Sequence, residues 1–423
     1  MPSRHPTTSR RTVLKGIPAL AALLSARPGH AATSSANQRF LFIFADGGWD
    51  PTWVFHPAFD DTYVDMPRDG SDLATSGGLQ WVSGPGRPNV DTFFQQYGSQ
   101  TAILNGMEVR SIAHERCRRL LLTGSSAAAS TGIPGLLAAG TPEGAPLGHV
   151  VLSGPAYQSG AQSDILRVGT NGQLASLLDG SFVDASPGLR LPTDDLSRLE
   201  DAFLAEQVAT VAPDLGAESR IVDAYARSLD RLVIADASSD MLVGGFGDTT
   251  TELNAALDLF ESGLARCAIV ADLGHRMERW DHHSDISRQA PSFDMLFVRL
   301  KTVCDMLSIL PGHEAPRLLD EVTIVVFSEM GRAPKENASM GKDHWMTTSA
   351  MLIGGGIQGG QVCGAYKEAM AGAAVRTDTG AADEASGVVL QPGHLGATLM
   401  TLAGLDPVPA FGSAIAPLTG LLA

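Results

Sequence analysis

The sequence contains little cysteine and few long apolar runs. Its four cysteines lie far apart, at positions 117, 267, 304 and 363. They therefore lack the close pairing of a zinc knuckle or a redox-active dithiol. We expect buried free thiols, with one or two disulfides as the alternative in an oxidising compartment. After the N-terminus, no apolar stretch reaches the roughly 20 residues of a membrane-spanning helix.

Basic residues are also scarce relative to acidic ones. The 423 residues include 30 lysines and arginines against 46 aspartates and glutamates, which gives a formal net charge of −16. A protein that binds the phosphate backbone needs a positive face, so we expect no nucleic-acid partner. With 44% hydrophobic and 18% charged residues, the composition is typical of a globular protein and excludes collagen-like and disordered chains.

The N-terminus has the pattern of a sorting signal. The stretch "SRRTVLKG" places two adjacent arginines, Arg10 and Arg11, before the apolar run "IPALAALLSA" and a segment rich in small residues. This order predicts a twin-arginine export signal over residues 1–36, followed by a domain over residues 37–423. A permanent membrane anchor is the alternative, but the run has about half the length of a span. We expect a periplasmic or secreted protein without a membrane span after cleavage.

Short apolar runs alternate with helical periodicities along the rest of the chain. Strands are predicted at "RFLFIFADGG", "TAILNG", "GHVVLSG", "ARCAIVADLG", "EVTIVVFSEMG" and "SAMLIGGG". Helices are predicted over residues 197–212, 218–237, 250–265 and 292–310. Wholly apolar strands separated by helices indicate an α/β fold with a largely parallel central sheet flanked by helices. Residues 155–215, rich in Ser, Gly, Pro and Asp, are interpreted as a loop-rich insertion or cap.

Polar side chains follow several of the predicted strands. In a parallel sheet, ligands gather at the carboxyl ends of the strands, where Asp46, Asp272 and Glu329 are expected. Asp46 and Asp50 fall in "ADGGWDP", which is either a metal-binding loop or an ordinary turn. The run "GGGIQGG" lacks the lysine of a phosphate-binding loop and is interpreted as a tight turn.

Two further segments combine histidines with carboxylates. In "ERWDHHSD", Asp281 and His283 are candidate metal ligands, and adjacent positions on a strand predict that only one of His282 and His283 faces the site. The segment from Val325 to Trp345 contributes more candidates: Glu329, Asp343 and His344 as ligands, and Arg332 and Lys335 as cations for an anionic substrate. A divalent cation such as zinc, manganese or calcium is the expected cofactor.

These motifs together resemble a known family. The segment "RPNVDTFFQQYGSQTAILNGMEVRSIAHERCRRLLLTGS" is similar to a region of sulfatases and related phosphohydrolases. The whole pattern, including "WDHH", "SEMGRAPKEN" and "GKDHW", resembles the bacterial exported family called domain of unknown function 1501, within the alkaline-phosphatase-like superfamily. The resemblance covers roughly residues 39–405, and it implies an alkaline-phosphatase-like fold with metal ions at the strand ends.

The sequence departs from the superfamily pattern at two positions. His114 lies ten residues before Gly124, where the relatives carry their nucleophile, and Ser111 is a nearby substitute. Glu329-Met330 replaces an Asp-His pair, and methionine is a poor ligand for such cations. The retained candidates are Asp46, His114, Asp281, His283, Glu329, Asp343 and His344.

Two functional classes remain open. The first is an exported metal-dependent hydrolase of small or polymeric phosphate or sulfate esters, with His114 as ligand, base or nucleophile. The second is a catalytically inactive protein of the same fold that binds or assembles with partners. The concentration of charges at strand ends favours the first class, and the two departures favour the second.

Overall fold

A computed structural model describes residues 37–125, 130–139, 145–159, 165–169 and 248–423, with isolated positions between these ranges. The chain divides into two units, residues 1–31 and residues 32–423. The predicted export signal, the helices predicted at 197–212 and 218–237, and most of the predicted insertion at 155–215 lie outside the described residues.

Helices of the described part have recognisable start and stop signals. The first begins at a proline, which suits the first helical turn, and the second ends at Gly124, whose left-handed φ of 65° suits glycine. The fourth is capped by Asp248, which accepts the backbone N–H groups of Thr250 and Thr251. The helices are α1 (Pro88–Tyr97), α2 (His114–Thr123), α3 (Ile133–Ala139), α4 (Thr249–Glu261), α5 (Gln289–Ile309), α6 (Pro392–Leu402) and α7 (Val408–Phe411).

The strands reproduce the six predicted apolar runs and add short pieces between them. In chain order they are β1 (Arg39–Ala45), β2 (Asp72–Ser76), β3 (Leu79–Ser83), β4 (Thr101–Glu108), β5 (Gly148–Val151), β6 (Ile165–Arg167), β7 (Ala265–Asp272), β8 (Val322–Ser328), β9 (Gly331–Arg332), β10 (His344–Trp345), β11 (Thr347–Gly354), β12 (Gln361–Cys363), β13 (Tyr366–Lys367), β14 (Ala371–Gly372), β15 (Ala374–Val375) and β16 (Val388–Val389).

Eight of these strands form the central sheet, in the order β12-β4-β11-β8-β1-β7-β5-β6. Seven run in one direction, and β11 alone is antiparallel to both of its neighbours. Helices cover both faces, which confirms the predicted α/β fold with a largely parallel sheet. The run "GGGIQGG" forms the turn between β11 and β12, as predicted.

The two faces of the sheet belong to two apolar cores. In β1, the alternate residues Leu41, Ile43 and Ala45 join the core under α1, α4 and α5. Phe40, Phe42 and Phe44 join the opposite core, under α2, α3 and α6. Because every residue of β1 is buried, the strand reads as a continuous apolar run in the sequence.

The direction of the strands decides which loops meet at each edge of the central sheet. The last residue of β1, Ala45, lies beside Asp272 of β7 and Ser328 of β8, so the loops after these three strands emerge together. Strand β11 begins at this edge because it runs in the opposite direction, and its Thr347 pairs with Glu108 at the end of β4. The segment just before β11 therefore joins the loops that follow β1, β7 and β8.

All four cysteines are buried, and none forms a disulfide. Burial raises the pKa of the Cys267 thiol to about 12, so the thiol is not poised for reaction. Within the described ranges, no helix combines the length and the apolar character needed to cross a membrane.

Candidate metal centre

Three ligand-type side chains meet at this edge of the sheet. One donor atom each from His114, Asp281 and His344 lies within 4.8 Å of the others. His114 is the first residue of α2, Asp281 follows β7, and His344 opens β10 just before β11. The cluster thus depends on the reversed direction of β11, which brings His344 to the ends of the parallel strands.

Contacts at the Nδ1 atom fix the orientation of two of the imidazoles. Nδ1 of His344 lies 2.7 Å from the carbonyl oxygen of Ile112, and Nδ1 of His114 lies 2.8 Å from Oε1 of the buried Glu329. Carbonyl and carboxylate oxygens accept hydrogen bonds, so each Nδ1 carries the hydrogen. Each ring therefore turns its Nε2 atom toward Asp281, as in metal-bound histidines with an outer hydrogen-bond partner.

A third histidine, His283, is oriented in the same way. Its Nδ1 lies 3.2 Å from Oδ1 of Asp343, and Asn337 donates both to that carboxylate and to the backbone carbonyl of His283. Its Nε2 lies 2.9 Å from Nε2 of His344 and 3.1 Å from Oδ1 of Asp281. Adjacent His282 is buried, and neither of its ring nitrogens has a hydrogen-bond partner. Of the two histidines, His283 is the one at the cluster.

The converging atoms are all acceptors when the rings are neutral. Asp281 lies 3.1 Å from Nε2 of His344 and 3.3 Å from Nε2 of His114. Lone pairs this close repel one another unless a proton or a cation lies between them. In agreement, hydrogen bonds to Asp281 and Glu329 raise the pKa of His114 to about 9, against the opposing effect of burial.

The carboxylate of Asp281 is held ionised in the middle of the cluster. Burial opposes its charge, but hydrogen bonds from His114, His344 and Arg332 outweigh burial and keep its pKa below the ordinary aspartate range. The Arg332 guanidinium lies 2.6 Å from Oδ1 of Asp281. An ionised carboxylate beside imidazole nitrogens is a set of groups suited to a divalent cation, which replaces the protons between them when it binds.

Arg332 was predicted to bind an anionic substrate, but its guanidinium is enclosed by other parts of the chain. Its side chain has no exposed surface, and its guanidinium donates to the backbone carbonyls of Gly47, Gly48, Trp280 and Lys342 as well as to Asp281. A guanidinium enclosed in this way fixes the loops after β1 and β7 rather than facing an exposed substrate.

Lys335 is not brought to the cluster. Its ammonium group lies 3.0 Å from Oδ1 of Asp65 and donates to the carbonyl oxygen of Thr62. The backbone N–H of Glu336 donates to the other oxygen of Asp65. These contacts fasten the segment after β9 to the loop around residue 65, so Lys335 has a partner away from the donor atoms.

Asp46 and Glu329 lie behind the cluster rather than within it. Asp46 is bound by the guanidinium groups of Arg118 and Arg279, and burial, followed by the nearby charge of Glu329, raises its pKa. Glu329 accepts the backbone N–H of Gly47 with both oxygens, at 3.1 and 3.0 Å. Asp343 is exposed and contacts His283 alone among the three histidines.

Gly47 allows the loops to approach closely. Its φ is +132°, and a Cβ there would lie 2.6 Å from the backbone nitrogen of Asp281. A side chain at this position would therefore displace the Asp281 loop or the Glu329 contact. The aspartate-glycine-glycine motif in the sequence thus marks a close backbone approach as well as a turn.

Backbone strain is concentrated beside the donor atoms. Four non-glycine residues in the loop between β7 and α5 have a left-handed backbone conformation, with φ between 54° and 62°. They are Arg276, Met277, Arg279 and Asp285. Such conformations are costly for residues with a Cβ and persist where the surroundings enforce them, often at functional sites.

Sequence reasoning missed several residues of the site. Arg118, on α2, bridges Asp46 and Glu329, and its position one helical turn after His114 is the signal that could have revealed it. Ile112 acts through its backbone carbonyl, which leaves no mark in the sequence. Met330 is fully buried in an apolar cluster with Val109 and Cys117, in accord with its exclusion as a ligand.

A family comparison confirms the resemblance inferred from the motifs. The model of the family described as protein of unknown function, DUF1501, matches residues 255–414. This range contains Asp281, His283, Glu329, Asp343 and His344, whereas His114 lies before it. No curated protein sequence matches the chain.

Similar solved structures include several sulfatases and related proteins. The PsFucS1 sulfatase from Pseudoalteromonas sp. is 11% identical, with a TM-score of 0.37, over 91% of this chain and 72% of that one. The protein BT4656, solved with its substrate D-glucosamine-2-N,6-O-disulfate, is 12% identical, with a TM-score of 0.35, over 91% and 80%. A protein from a study of glycosaminoglycan metabolism by Bacteroides thetaiotaomicron is 11% identical, with a TM-score of 0.33, over 89% and 74%.

Proposed function

We propose that this protein is a metal-dependent hydrolase of phosphate or sulfate esters. His114, Asp281 and His344 hold the cation in this proposal, and His283 completes the donor set. The observation that carries it is the convergence of three imidazole Nε2 atoms on one ionised carboxylate, while an oxygen acceptor lies behind each Nδ1. A structural core histidine has no need of such an arrangement.

The types of donor atom favour some of the expected cations over others. Imidazole nitrogens with one carboxylate suit zinc, manganese or iron, whereas calcium prefers oxygen ligands throughout. We therefore favour zinc or manganese over calcium. A cation bound there would polarise an ester oxygen and make a water molecule more acidic.

The chain's own residues position these groups in the proposal. Glu329 and the Ile112 carbonyl fix the tautomers and orientations of His114 and His344, and Arg332 fixes Asp281. Arg279 is the cation we assign to the anionic substrate in place of Lys335, because its side chain is 54% exposed beside Asp46. An exposed guanidinium two residues from Asp281 can reach an anion that a buried one cannot.

His114 is assigned a ligand role rather than that of a nucleophile. Its Nδ1 is engaged by Glu329, so the imidazole has one nitrogen left, and that nitrogen faces Asp281. A nitrogen that binds a cation has no lone pair for attack on an ester. The attacking group is then water.

The decisive experiment measures metal content and ester hydrolysis on the same preparations. We expect about one equivalent of zinc or manganese in the wild type, and its loss together with activity in Asp281→Asn and His344→Ala. His313→Ala is the matched control, because His313 also contacts a backbone carbonyl, that of Phe260, but lies away from the cluster. Metal-free, folded wild-type protein that cannot be loaded with either cation contradicts the proposal.

A cation-binding protein without turnover is the second candidate. It is favoured by the positions of Arg332 and Lys335, since neither predicted cation is available to a substrate at the cluster. Stoichiometric metal without hydrolysis of any phosphate or sulfate monoester supports this candidate.

We also propose export through residues 1–36, on the strength of Arg10 and Arg11 before an apolar run. A reporter fused to residues 1–36 should reach the periplasm of a bacterial host. Replacing both arginines with lysine should retain the reporter in the cytoplasm, and equal export of the two fusions contradicts the twin-arginine route.

A further inference from the structure

The rim of the metal centre, meaning the exposed side chains on the segments that carry its ligands, includes large apolar residues. Four large side chains there are strongly exposed: Ile112 at 56%, Met277 at 60%, Met340 at 69% and Met346 at 44%. They lie on four separate segments of the chain, among exposed charged residues such as Glu278. Exposed apolar groups collected around one site are typical of a surface that binds something.

Backbone contacts tie two of these residues directly to the donor atoms. Ile112 supplies the carbonyl that orients His344. Met346 lies two residues after His344, and its carbonyl accepts the N–H of Val109, which leads into the Ile112 segment. Both side chains therefore border the same side of the cluster.

The two other methionines border the opposite segments. Met340 pairs through its backbone with Ser284, the residue after His283. Met277 lies four residues before Asp281, in the strained loop. Every ligand segment thus has an exposed apolar side chain close to it.

Both of these methionines have strained backbone. Met277 and Met340 each have a φ of 60°, in the left-handed region that suits glycine far better than a long side chain. Around Met340 the strain is enforced, because its N–H donates to the Asn337 carbonyl and its carbonyl accepts from Ile286. Strain that keeps apolar side chains in solvent has no benefit for folding, which points to a role in binding.

We infer that the substrate of the proposed hydrolase is a monoester whose organic part is apolar, an alkyl chain or an aryl ring. This inference rests on the proposed function. The anionic head lies at the cation and Arg279, and the organic part contacts the rim. Methionine suits this task because its flexible, polarisable side chain adapts to ligands of different shape.

The test uses two inert probes, ethylphosphonate and octylphosphonate, whose binding to the metal-loaded protein is measured by calorimetry below micelle-forming concentrations. Full burial of a methylene group is worth about fourfold in affinity, so on an open rim we expect about twofold per methylene. Octylphosphonate should then bind on the order of 50-fold more tightly than ethylphosphonate. The double variant Met277→Gln/Met340→Gln should lose most of this ratio and keep its affinity for ethylphosphonate.

Met306→Gln is the matched control, because Met306 is an exposed methionine on α5, away from the rim. This control should retain the wild-type ratio. Equal affinity of the wild type for the two phosphonates, or a ratio unchanged in the double variant, overturns the inference. If the protein hydrolyses esters but binds the two phosphonates equally, the inference of an apolar substrate is wrong and the proposed function stands. If neither probe binds and no ester is hydrolysed, the proposed function fails with it.

Discussion

Nδ1 of His114 lies 2.8 Å from Oε1 of Glu329, a fully buried carboxylate directly after β8. Glu329 takes no part in the donor set itself, yet it decides which nitrogen of His114 faces Asp281. A buried carboxylate behind a ligand histidine also increases the basicity of that ligand.

Glu329→Gln should therefore weaken metal binding by about 10- to 100-fold. The amide is neutral and presents N–H groups toward the N–H of Gly47, so it orients His114 less well. Competition with a chromophoric chelator measures the affinity. Glu321→Gln is the matched control, since Glu321 is also fully buried but precedes β8 at the far end of the strand. Equal metal affinity in both variants argues against the orienting role.

Arg332→Ala should destabilise the fold by about 3 to 5 kcal/mol, because it removes the five hydrogen bonds of a fully buried guanidinium and leaves the carbonyls of Gly47 and Lys342 without their donor. Arg332→Lys should rescue little, since an ammonium group cannot reach the same set of acceptors. Urea unfolding of the metal-free proteins measures the loss. Arg376→Ala removes an exposed ion pair with Asp378 and should leave the midpoint unchanged. A wild-type midpoint for Arg332→Ala contradicts this account.

Lys335→Ala should leave phosphate binding to the metal-loaded protein within about twofold of wild type, because its partner is Asp65. Arg279→Ala should weaken that binding by about tenfold, the usual scale for one charge-assisted hydrogen bond. Calorimetry with inorganic phosphate distinguishes the two. The reverse order of effects would show that Lys335 moves to the anion and that Arg279 serves Asp46 alone.

Stability should fall as the pH rises through neutrality because of Glu252. Burial raises the pKa of this carboxyl to about 7, although a hydrogen bond from Ser153 partly opposes the shift. The folded state therefore holds the proton more tightly than the unfolded state, whose pKa is near 4.5. Folding is favoured fully below pH 4.5, and the benefit is lost as the pH rises to 7 and above.

Between pH 5 and pH 8, the titration of Glu252 should lower the free energy of unfolding by about 2 to 3 kcal/mol. Glu252→Gln keeps the shape without the titration, so urea unfolding of the variant should show a flatter dependence on pH than the wild type. Parallel pH profiles for the two proteins would mean that Glu252 titrates alike in both states.

The fold was largely predictable because its central strands are buried on both faces. Runs such as "RFLFIFA" and "TIVVFS" permit one structural interpretation, and α5 lies within three residues of the helix predicted at 292–310. The direction of β11 was not predictable. A short apolar run has the same appearance whichever way the strand points, and only pairing with β4 and β8 fixes it.

The candidate site was predictable as a set of residue types but not as an arrangement. Asp281, His283 and His344 were expected as ligands, and the structure brings them together with His114. Asp46 and Glu329 were expected beside them and lie one layer behind, because Arg118 and Gly47 engage their oxygens. The side-chain partner of Lys335 lies some 270 residues away in sequence, and no local pattern reveals such a contact.

The three clustered ligands come from segments that are far apart in the chain: 167 residues separate His114 from Asp281, and 63 separate Asp281 from His344. Only the folded sheet places them together, so the unfolded chain has no comparable chelating site. A cation bound here would therefore raise the melting temperature in proportion to the logarithm of its free concentration, well above its dissociation constant. The metal centre would then stabilise the assembled sheet, and chelation would lower the melting temperature to that of the metal-free protein without altering a single covalent bond.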